Sequence, residues 1–362
     1  MITFILIVIV ISVLILVHEW GHFYSARKLG VKVEEFGIGF SGREFGFRFP
    51  PKLATVVRSG VRYTLNPLPF GGFVKIFGEH GEDENKPESF ASRPIWQRVL
   101  IIGAGVLMNF VLAWVLFSGG AILGVPELGD ESGGPVSIVG VLPNSPAEKA
   151  GLKFGDAIVE MRAQDLTLRV EAEKDVRDFI QAYRGEEIML FVKRGQEVLE
   201  IKAVPRAEVP EGEGPLGVAL GYLTLRRTPW YLAPVEGAKM LGRSTVAVLE
   251  GFGMLLRDLL TTGKTSAEVS GPVGIFFFAD DTRMLGIAYF LQFVGILSVN
   301  LAILNVLPIP ALDGGRLFFL LLEKIKGTKI NPQTENIVHG IGFLVLIVLM
   351  VLITYKDIAR LF

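Results

Sequence analysis

Apolar and polar residues occur in blocks along this chain, and four of the apolar blocks have about the length of a membrane span. A helix needs roughly 20 mostly apolar residues to cross the hydrocarbon core of a bilayer. The pattern predicts spanning helices at about residues 2–24, 95–123, 284–306 and 337–353. The first block lacks a basic start and a small-residue cleavage site, so we expect a retained helix, not a signal peptide.

Residues 33–77, between the first two predicted spans, follow a different pattern. Glycine, aromatic and β-branched residues alternate there in short runs, which is typical of strands. We therefore expect a small β element at the cytoplasmic side that is associated with the membrane or re-enters it.

The segment after the second predicted span, residues 126–206, is charged and β-like. The stretch "VSIVGVLPNSPAEKAGLKFGDAIVEM" predicts a strand, a short helix and a second strand, with Ser145 as helix N-cap and Gly151 at the helix end. A hairpin around Arg194 and Gly195 follows. The segment resembles a bacterial PDZ module, which implies that an extended peptide binds by strand addition. A β-rich spacer that binds nothing is the alternative.

Residues 207–283 divide into a linker and helical sequence. A Gly/Pro/Glu-rich linker covers 207–217, and residues 234–260 have helical periodicity with charges among apolar positions. This composition favours a helix on the outer membrane surface, or one packed on the β domain.

The predicted organisation of the whole chain has four parts. These are a membrane core (1–125), a PDZ domain (126–206), linker and surface helices (207–283) and a second part of the membrane core (284–362).

Composition supports a polytopic α-helical membrane protein with an inserted extracytoplasmic α+β domain. Half of the residues are hydrophobic, and the mean hydropathy is +0.47. The net charge of −1 does not favour nucleic-acid binding. Because the chain has no cysteine, disulfides and thiol nucleophiles are excluded, and a metal site must use histidine, carboxylate or carbonyl ligands.

Basic residues near the span ends predict the orientation. They lie after the first span, before the second and after the third, and such flanks are usually cytoplasmic. The N-terminus and residues 126–206 are then outside the cytoplasm. Lys356 and Arg360 near the C-terminus disagree with this arrangement.

The chemistry starts in the first span, where "HEWGH" matches the pattern H-E-x-x-H. On a helix His18 and His22 share one face and can hold one zinc ion, with Glu19 beside the water that attacks a carbonyl. Ionisable residues inside a membrane span are costly and usually functional. A pair of hydrogen-bonded histidines that line a helix bundle is the alternative.

A third ligand is expected because catalytic zinc commonly has three protein ligands. In "NVLPIPALDGGR", Asp313 follows the third span, where two prolines break the helix and Gly314 and Gly315 permit unusual backbone angles. If spans one and three run in the same direction, Asp313 lies at the depth of the two histidines. His80, in an acidic loop, and His339, at the head of the fourth span, are weaker candidates.

Together, these motifs resemble the site-two protease family of intramembrane zinc metalloproteases, and within it the bacterial regulator of sigma-E protease (RseP) branch, in a form with one PDZ module. The stretches "PFGGFVK" and "SGPVGI" are also similar, and the resemblance covers essentially the whole chain. A difference is Val106, where the family commonly has proline. The resemblance implies that His18, His22 and Asp313 bind zinc and that Glu19 is the general base.

The resemblance also implies the groups that hold an unwound substrate. These are Asn305 and Asn300 in the third span, and Gly71, Gly72 and Phe73, whose strand would pair with the extended substrate. For each asparagine, hydrogen bonding between helices is the alternative. For the strand, a hairpin without substrate contact is the alternative.

The resemblance further implies the partners. Substrates would be single-pass membrane proteins, such as anti-sigma factors or remnant signal peptides, within the lipid bilayer. A peptide or substrate ectodomain would meet the PDZ domain.

Two other functions fit parts of the sequence. The first is a non-catalytic, membrane-anchored PDZ adaptor with a structural metal site. The second is a metal or ion transporter, which would require further polar residues along the spans. The sequence carries no signal for the oligomeric state.

Overall fold

The computed structural model describes residues 2–359 apart from 41–51, 80, 82, 130–133, 143, 165, 211–212 and 263–270. The chain forms two compact units. The helical unit comprises Met1–Ser118, Pro234–Ala279 and Gln292–Phe362, and the β-rich unit comprises Gly119–Ala233 and Asp280–Leu291.

Within the described residues, four helices are long and apolar enough to cross a membrane, namely α1 (Ile2–Lys28), α2 (Ile95–Leu123), α7 (Ile287–Val306) and α9 (Pro332–Ala359). They fit a polytopic membrane protein. The third span begins later than its apolar run, because Gly286 has a φ of 124° and separates α7 from α6 (Pro272–Leu285). The other long helices are α5 (Ala233–Thr262) and α8 (Asp313–Lys326).

The predicted β element between the first two spans is a four-stranded sheet within the described residues. Its strands are β1 (Val33–Phe40), β2 (Ala54–Arg58), β3 (Val61–Leu65) and β4 (Leu68–Ile76), in the order β2-β3-β1-β4. Strand β1 is parallel to β3 and antiparallel to β4. Residues 41–51 of this region lie outside the described residues. Strand β4 is at an edge of the sheet, where it packs against α1.

Small residues determine how closely α1 approaches α2. A Cβ atom on Gly21 would lie 2.7 Å from the carbonyl carbon of Ala104. Such contacts let helix backbones pack closely in a membrane, where exclusion of water does not drive helix association. Toward the C-terminal end of α1, an apolar cluster joins α1, α2, α8 and the sheet. Its buried residues are Ala26, Val31, Val33, Val61, Ile76, Phe90, Ile101, Ile102 and Leu320.

The elements of the β-rich unit are β5 (Val125–Gly129), β6 (Val136–Val141), α3 (Pro146–Ala150), β7 (Ala157–Ala163), β8 (Leu166–Arg169), α4 (Glu173–Ala182), β9 (Ile188–Arg194), β10 (Glu197–Ala203) and β11 (Val218–Arg226). The strands form a sheet in the order β10-β9-β7-β6-β11-β5, with β8 paired to β7.

Local predictions for this unit are confirmed. Ser145 Oγ accepts a hydrogen bond from Glu148 N at 3.2 Å, and Gly151 ends α3 with a φ of 81°. Strands β9 and β10 form the predicted hairpin. The PDZ identity of residues 126–206, parts of which lie outside the described residues, stays a prediction.

Candidate metal centre

Helix α1 presents both histidines of the H-E-x-x-H motif on one buried face. His18 and His22 are 6% and 8% exposed, and their Nε2 atoms are 3.1 Å apart. The spacing of four residues produces this geometry directly, because residues i and i+4 of a helix lie above one another.

Asp313 reaches the same point from the first turn of α8. Its Oδ2 atom lies 2.9 Å from Nε2 of His18 and 3.1 Å from Nε2 of His22. Helix α7 stops at Val306, just before Pro308 and Pro310, so a short loop and a new helix deliver the carboxylate. Among the described residues, the three side chains form the one group of at least three potential ligands that could hold a metal ion.

In both histidines Nε2 faces Asp313, and the hydrogen bond made by Nδ1 determines which of the two nitrogens carries the proton. Nδ1 of His22 lies 2.9 Å from the carbonyl oxygen of Ile101. A carbonyl only accepts, so Nδ1 carries the proton and Nε2 of the neutral ring presents a lone pair.

Asn109 on α2 takes the corresponding place beside His18. Its amide nitrogen is placed 3.3 Å from Nδ1 of His18, the side chain is buried, and its Oδ1 has no hydrogen-bond partner among the described residues. The side-chain oxygen and nitrogen of asparagine are nearly the same size, so their positions are assigned from the hydrogen bonds that they make. Exchanging them puts an acceptor at Nδ1 of His18 and leaves a lone pair on its Nε2.

The three converging atoms fit a zinc ion. Two imidazole lone pairs and a carboxylate oxygen within 3.1 Å repel one another unless a cation lies between them. Atoms bound to one zinc at about 2.0–2.2 Å in tetrahedral geometry are about 3.3–3.6 Å apart, slightly more than the separations here. Within the described part of the chain, Oδ2 of Asp313 is also buried without a hydrogen-bond partner, as expected for a metal ligand.

Gly105 on α2 leaves the space that this group needs. A Cβ atom at this position would overlap Nε2 of His22 and lie 2.8 Å from Cε1 of His18. The neighbouring Val106 is buried within a continuous α2, so the absence of proline there leaves the helix intact.

Glu19 follows His18 on α1 and contacts the sheet. Its Oε2 accepts a hydrogen bond of 3.0 Å from the backbone N–H of Val74 in β4. The edge strand therefore holds the carboxylate that the motif assigns to proton transfer.

The predicted substrate-contacting residues of β4 lie beside α1. Gly71 has a φ of 68° and donates its N–H to Ser12 Oγ at 3.2 Å. A Cβ on Gly72 would overlap Leu16 and lie 2.8 Å from the carbonyl oxygen of Gly37. Phe73 stacks on Phe40 with ring centroids 6.0 Å apart.

The two predicted asparagines lie on different sides of α7. Asn305 is buried in the last turns of the helix, and Asn300 is half-buried. Residues five apart on an α-helix are about 140° apart around its axis. The two asparagines therefore do not share one face of α7.

Sequence reasoning missed several contributors to this centre. A buried asparagine in a span is itself a signal, so Asn109 could have been found. The contact of Val74 involves only its backbone and has no sequence signal. His339 is a weak ligand candidate in the sequence, whereas in the structure its Nδ1 accepts the N–H of Ala311 at 2.9 Å. His80 lies outside the described residues.

Comparisons with known proteins agree with this geometry. A family model described as Peptidase family M50 matches residues 6–349. A proposed zinc metalloprotease of Clostridium perfringens is 35% identical over 349 residues, 96% of each chain. The zinc metalloprotease RasP of Shouchella clausii is 30% identical over 437 residues, 98% of each chain. The regulator of sigma-W protease RasP of Bacillus subtilis is 30% identical over 441 residues, 99% of each chain.

Proposed function

Since the chain belongs to peptidase family M50, we propose that it is an intramembrane zinc metalloprotease that hydrolyses peptide bonds in transmembrane segments of membrane proteins. One observation carries the proposal. Oδ2 of Asp313 and both imidazole Nε2 atoms, from distant parts of the sequence, meet within 3.1 Å. The four apolar helices and the bacterial relatives indicate a multi-pass protein of a bacterial inner membrane.

His18, His22 and Asp313 would hold the zinc ion. When bound by three protein ligands, zinc leaves a position for water and supplies the Lewis acidity that makes this water nucleophilic near neutral pH. Ile101 and Asn109 would keep both rings in the orientation that the ligands require.

Glu19 would move the proton. Its carboxylate accepts the proton of the attacking water and returns it to the leaving amine, as a general base and then a general acid. The N–H of Val74 orients the carboxylate, because it binds Oε2 and leaves the other oxygen available.

The substrate helix must unwind to be cut, because its amides are otherwise occupied by its own hydrogen bonds. Its freed N–H and C=O groups need partners in a low-dielectric site. Asn305, and with less support Asn300, offers both a donor and an acceptor. Strand β4 at Gly71, Gly72 and Phe73 would pair with the extended segment.

Residues 126–206 would act as a PDZ module that restricts which substrates enter. The strand, short helix and strand from Val136 to Ala163 support this assignment. The name of the Bacillus subtilis relative couples it to a sigma factor, which supports anti-sigma factors as a substrate class. Remnant signal peptides are the second class that we propose.

The N-terminus and the β-rich unit would lie outside the cytoplasm, and the metal centre toward the cytoplasmic side. An adaptor with a structural metal site would need a fourth protein ligand. The donor group found among the described residues has three members, which favours the enzyme.

The central test is Glu19→Gln. This variant should retain zinc and lose cleavage of a model single-pass substrate by roughly 10²-fold or more, because only proton transfer is removed. Zinc is measured by elemental analysis of the purified protein, and cleavage by the appearance of product bands.

His22→Ala and Asp313→Ala should lose both zinc and cleavage. Glu34→Gln, at a partly exposed carboxylate of β1, is the matched control and should change neither. Unchanged cleavage by Glu19→Gln, or full zinc content in Asp313→Ala, contradicts the proposal.

A further inference from the structure

Each backbone N–H group of the loop that precedes Asp313 has a hydrogen-bond acceptor. The loop covers the residues between Val306 and Asp313, and Pro308 and Pro310 lack an N–H group. Three amides bond to backbone carbonyl oxygens: Leu307 N to Ile303 O at 3.1 Å, Ile309 N to Leu307 O at 2.6 Å and Leu312 N to Ile309 O at 3.2 Å. The remaining amide, that of Ala311, donates to Nδ1 of His339 on α9 at 2.9 Å.

Ala311 is also the loop residue with an unusual backbone conformation. Its φ is 77°, in the left-handed region that non-glycine residues rarely adopt. Such a conformation persists only where surrounding contacts enforce it. The bond from His339 therefore acts on the residue that turns the chain into α8.

Further contacts fix the His339 ring against this loop. A Cβ atom on Gly315 would lie 3.2 Å from Cε1 of His339, and the ring centroid of Phe319 is 5.8 Å from that of His339. One turn along α9, Gly342 packs on Pro310, where a Cβ atom would lie 2.8 Å from the proline carbonyl carbon. Helix α9 thus meets the loop at two successive turns.

The direction of the bond assigns a tautomer. An amide N–H only donates, so Nδ1 of His339 must present a lone pair, and the proton of the neutral ring is on Nε2. Replacing a group that orients a metal ligand typically lowers metal affinity by about 10- to 100-fold.

We propose that His339 is a positioning residue of the metal centre, whose Nδ1 holds the amide of Ala311 and so fixes the loop that aims Asp313 at His18 and His22. The proposal rests on the proposed zinc site. His339 acts through Ala311, so replacing it should change zinc affinity and kcat. KM should change little, because the substitution does not alter β4 or the β-rich unit, the parts proposed to contact substrate.

Two substitutions separate the hydrogen bond from the packing of the ring. His339→Phe keeps an aromatic ring beside Phe319 and removes the acceptor. His339→Asn removes the ring and can present its Oδ1 near the position of Nδ1. Phe343→Leu, at an exposed position of α9, is the matched control. Zinc retained by the full-length protein in detergent is measured against a graded series of chelator concentrations.

We expect His339→Phe to weaken zinc binding by about 10-fold or more, and His339→Asn and Phe343→Leu to remain within about 3-fold of the parent. If His339→Phe does not accumulate as folded protein, His339→Leu replaces it with the same expectation. Parental zinc affinity in the Phe or Leu variant overturns the inference. An equal loss in the Asn variant also overturns it, because packing would then be the cause.

Asp313→Ala, measured in parallel, distinguishes the metal site from the role of His339. If Asp313→Ala loses zinc while His339→Phe keeps it, only the role of His339 fails. If Asp313→Ala keeps parental zinc affinity, the proposed metal site and the role of His339 both fail.

Discussion

Gly105 faces the two imidazoles from α2 and leaves the space that these side chains occupy. A methyl group there would overlap Nε2 and Cε1 of His22. Another glycine of the same helix is Gly103, where a Cβ atom would meet no described atom within 4 Å apart from the backbone of its own helix. The two glycines therefore differ in their surroundings, although both are in the middle of one helix.

Gly105→Ala should lower zinc content and cleavage by about 10-fold or more, because the imidazole must move away from Asp313. Gly103→Ala should leave both unchanged, or stabilise α2 slightly, because alanine is the better helix former. Zinc per protein and cleavage rate are compared for the two variants. Equal behaviour of the two alanine variants would mean that Gly105 does not shape the centre.

The glycine pair after Asp313 illustrates a limit of residue-level prediction. Gly314 and Gly315 permit unusual backbone angles, but they lie in the first turn of α8 without positive φ values. Their role is close packing, since a Cβ on Gly314 would lie 2.6 Å from the carbonyl carbon of Leu307. The unusual angle occurs at Ala311, which nothing in the local sequence indicates.

The four-stranded sheet contains a buried charged residue. Glu35 on β1 is buried, accepts a hydrogen bond from Thr64 Oγ1 at 2.8 Å and pairs with Lys52 and with Arg62. Burial alone would raise the pKa of Glu35, but hydrogen bonds from Lys52 and Thr64 and the nearby cations keep this pKa below its ordinary value of 4.5. The carboxylate thus stabilises the sheet in its charged form.

This lowered pKa predicts how stability depends on pH. Because the pKa of Glu35 is lower in the folded protein, its contribution is fully present above about pH 4.5 and is lost as the pH falls through the folded-state value. The Tm of the parent should exceed that of Glu35→Gln at pH 6–7, and the gap should shrink below about pH 4.5. Glu34→Gln, on the same strand, serves as control. A difference in Tm between the parent and Glu35→Gln that does not change with pH would contradict this explanation.

The molecule as a whole brings together segments almost 300 residues apart. His18 and Asp313 are separated in the sequence by the small sheet, α2 and the β-rich unit. Of the basic residues that predict the orientation, Arg98 is buried in an ion pair with Glu323 at 2.5 Å, whereas Lys326 is exposed. Exposed flanking charges are therefore the better reporters of orientation.

The absence of cysteine makes the orientation directly measurable, because any introduced cysteine is the only one in the chain. Lys174→Cys, at an exposed position of α4 in the β-rich unit, should react with a membrane-impermeant maleimide in intact spheroplasts. Lys326→Cys, at the end of α8, should react only after the membrane is opened. Labelling is read as a mass shift on a gel. The reverse pattern would invert the proposed topology.

The sequence by itself determined the four apolar helices, the strand-rich insertions and the two histidines on one helical face, because these follow from local period and spacing. It also indicated Asp313, through the depth at which two prolines break the third span. Only the tertiary structure decided that Asp313 meets the histidines, that Asn109 and Ile101 orient the rings, and that His339 holds the loop. Those contacts depend on how separate helices pack, and packing between distant segments leaves no periodic trace in the sequence.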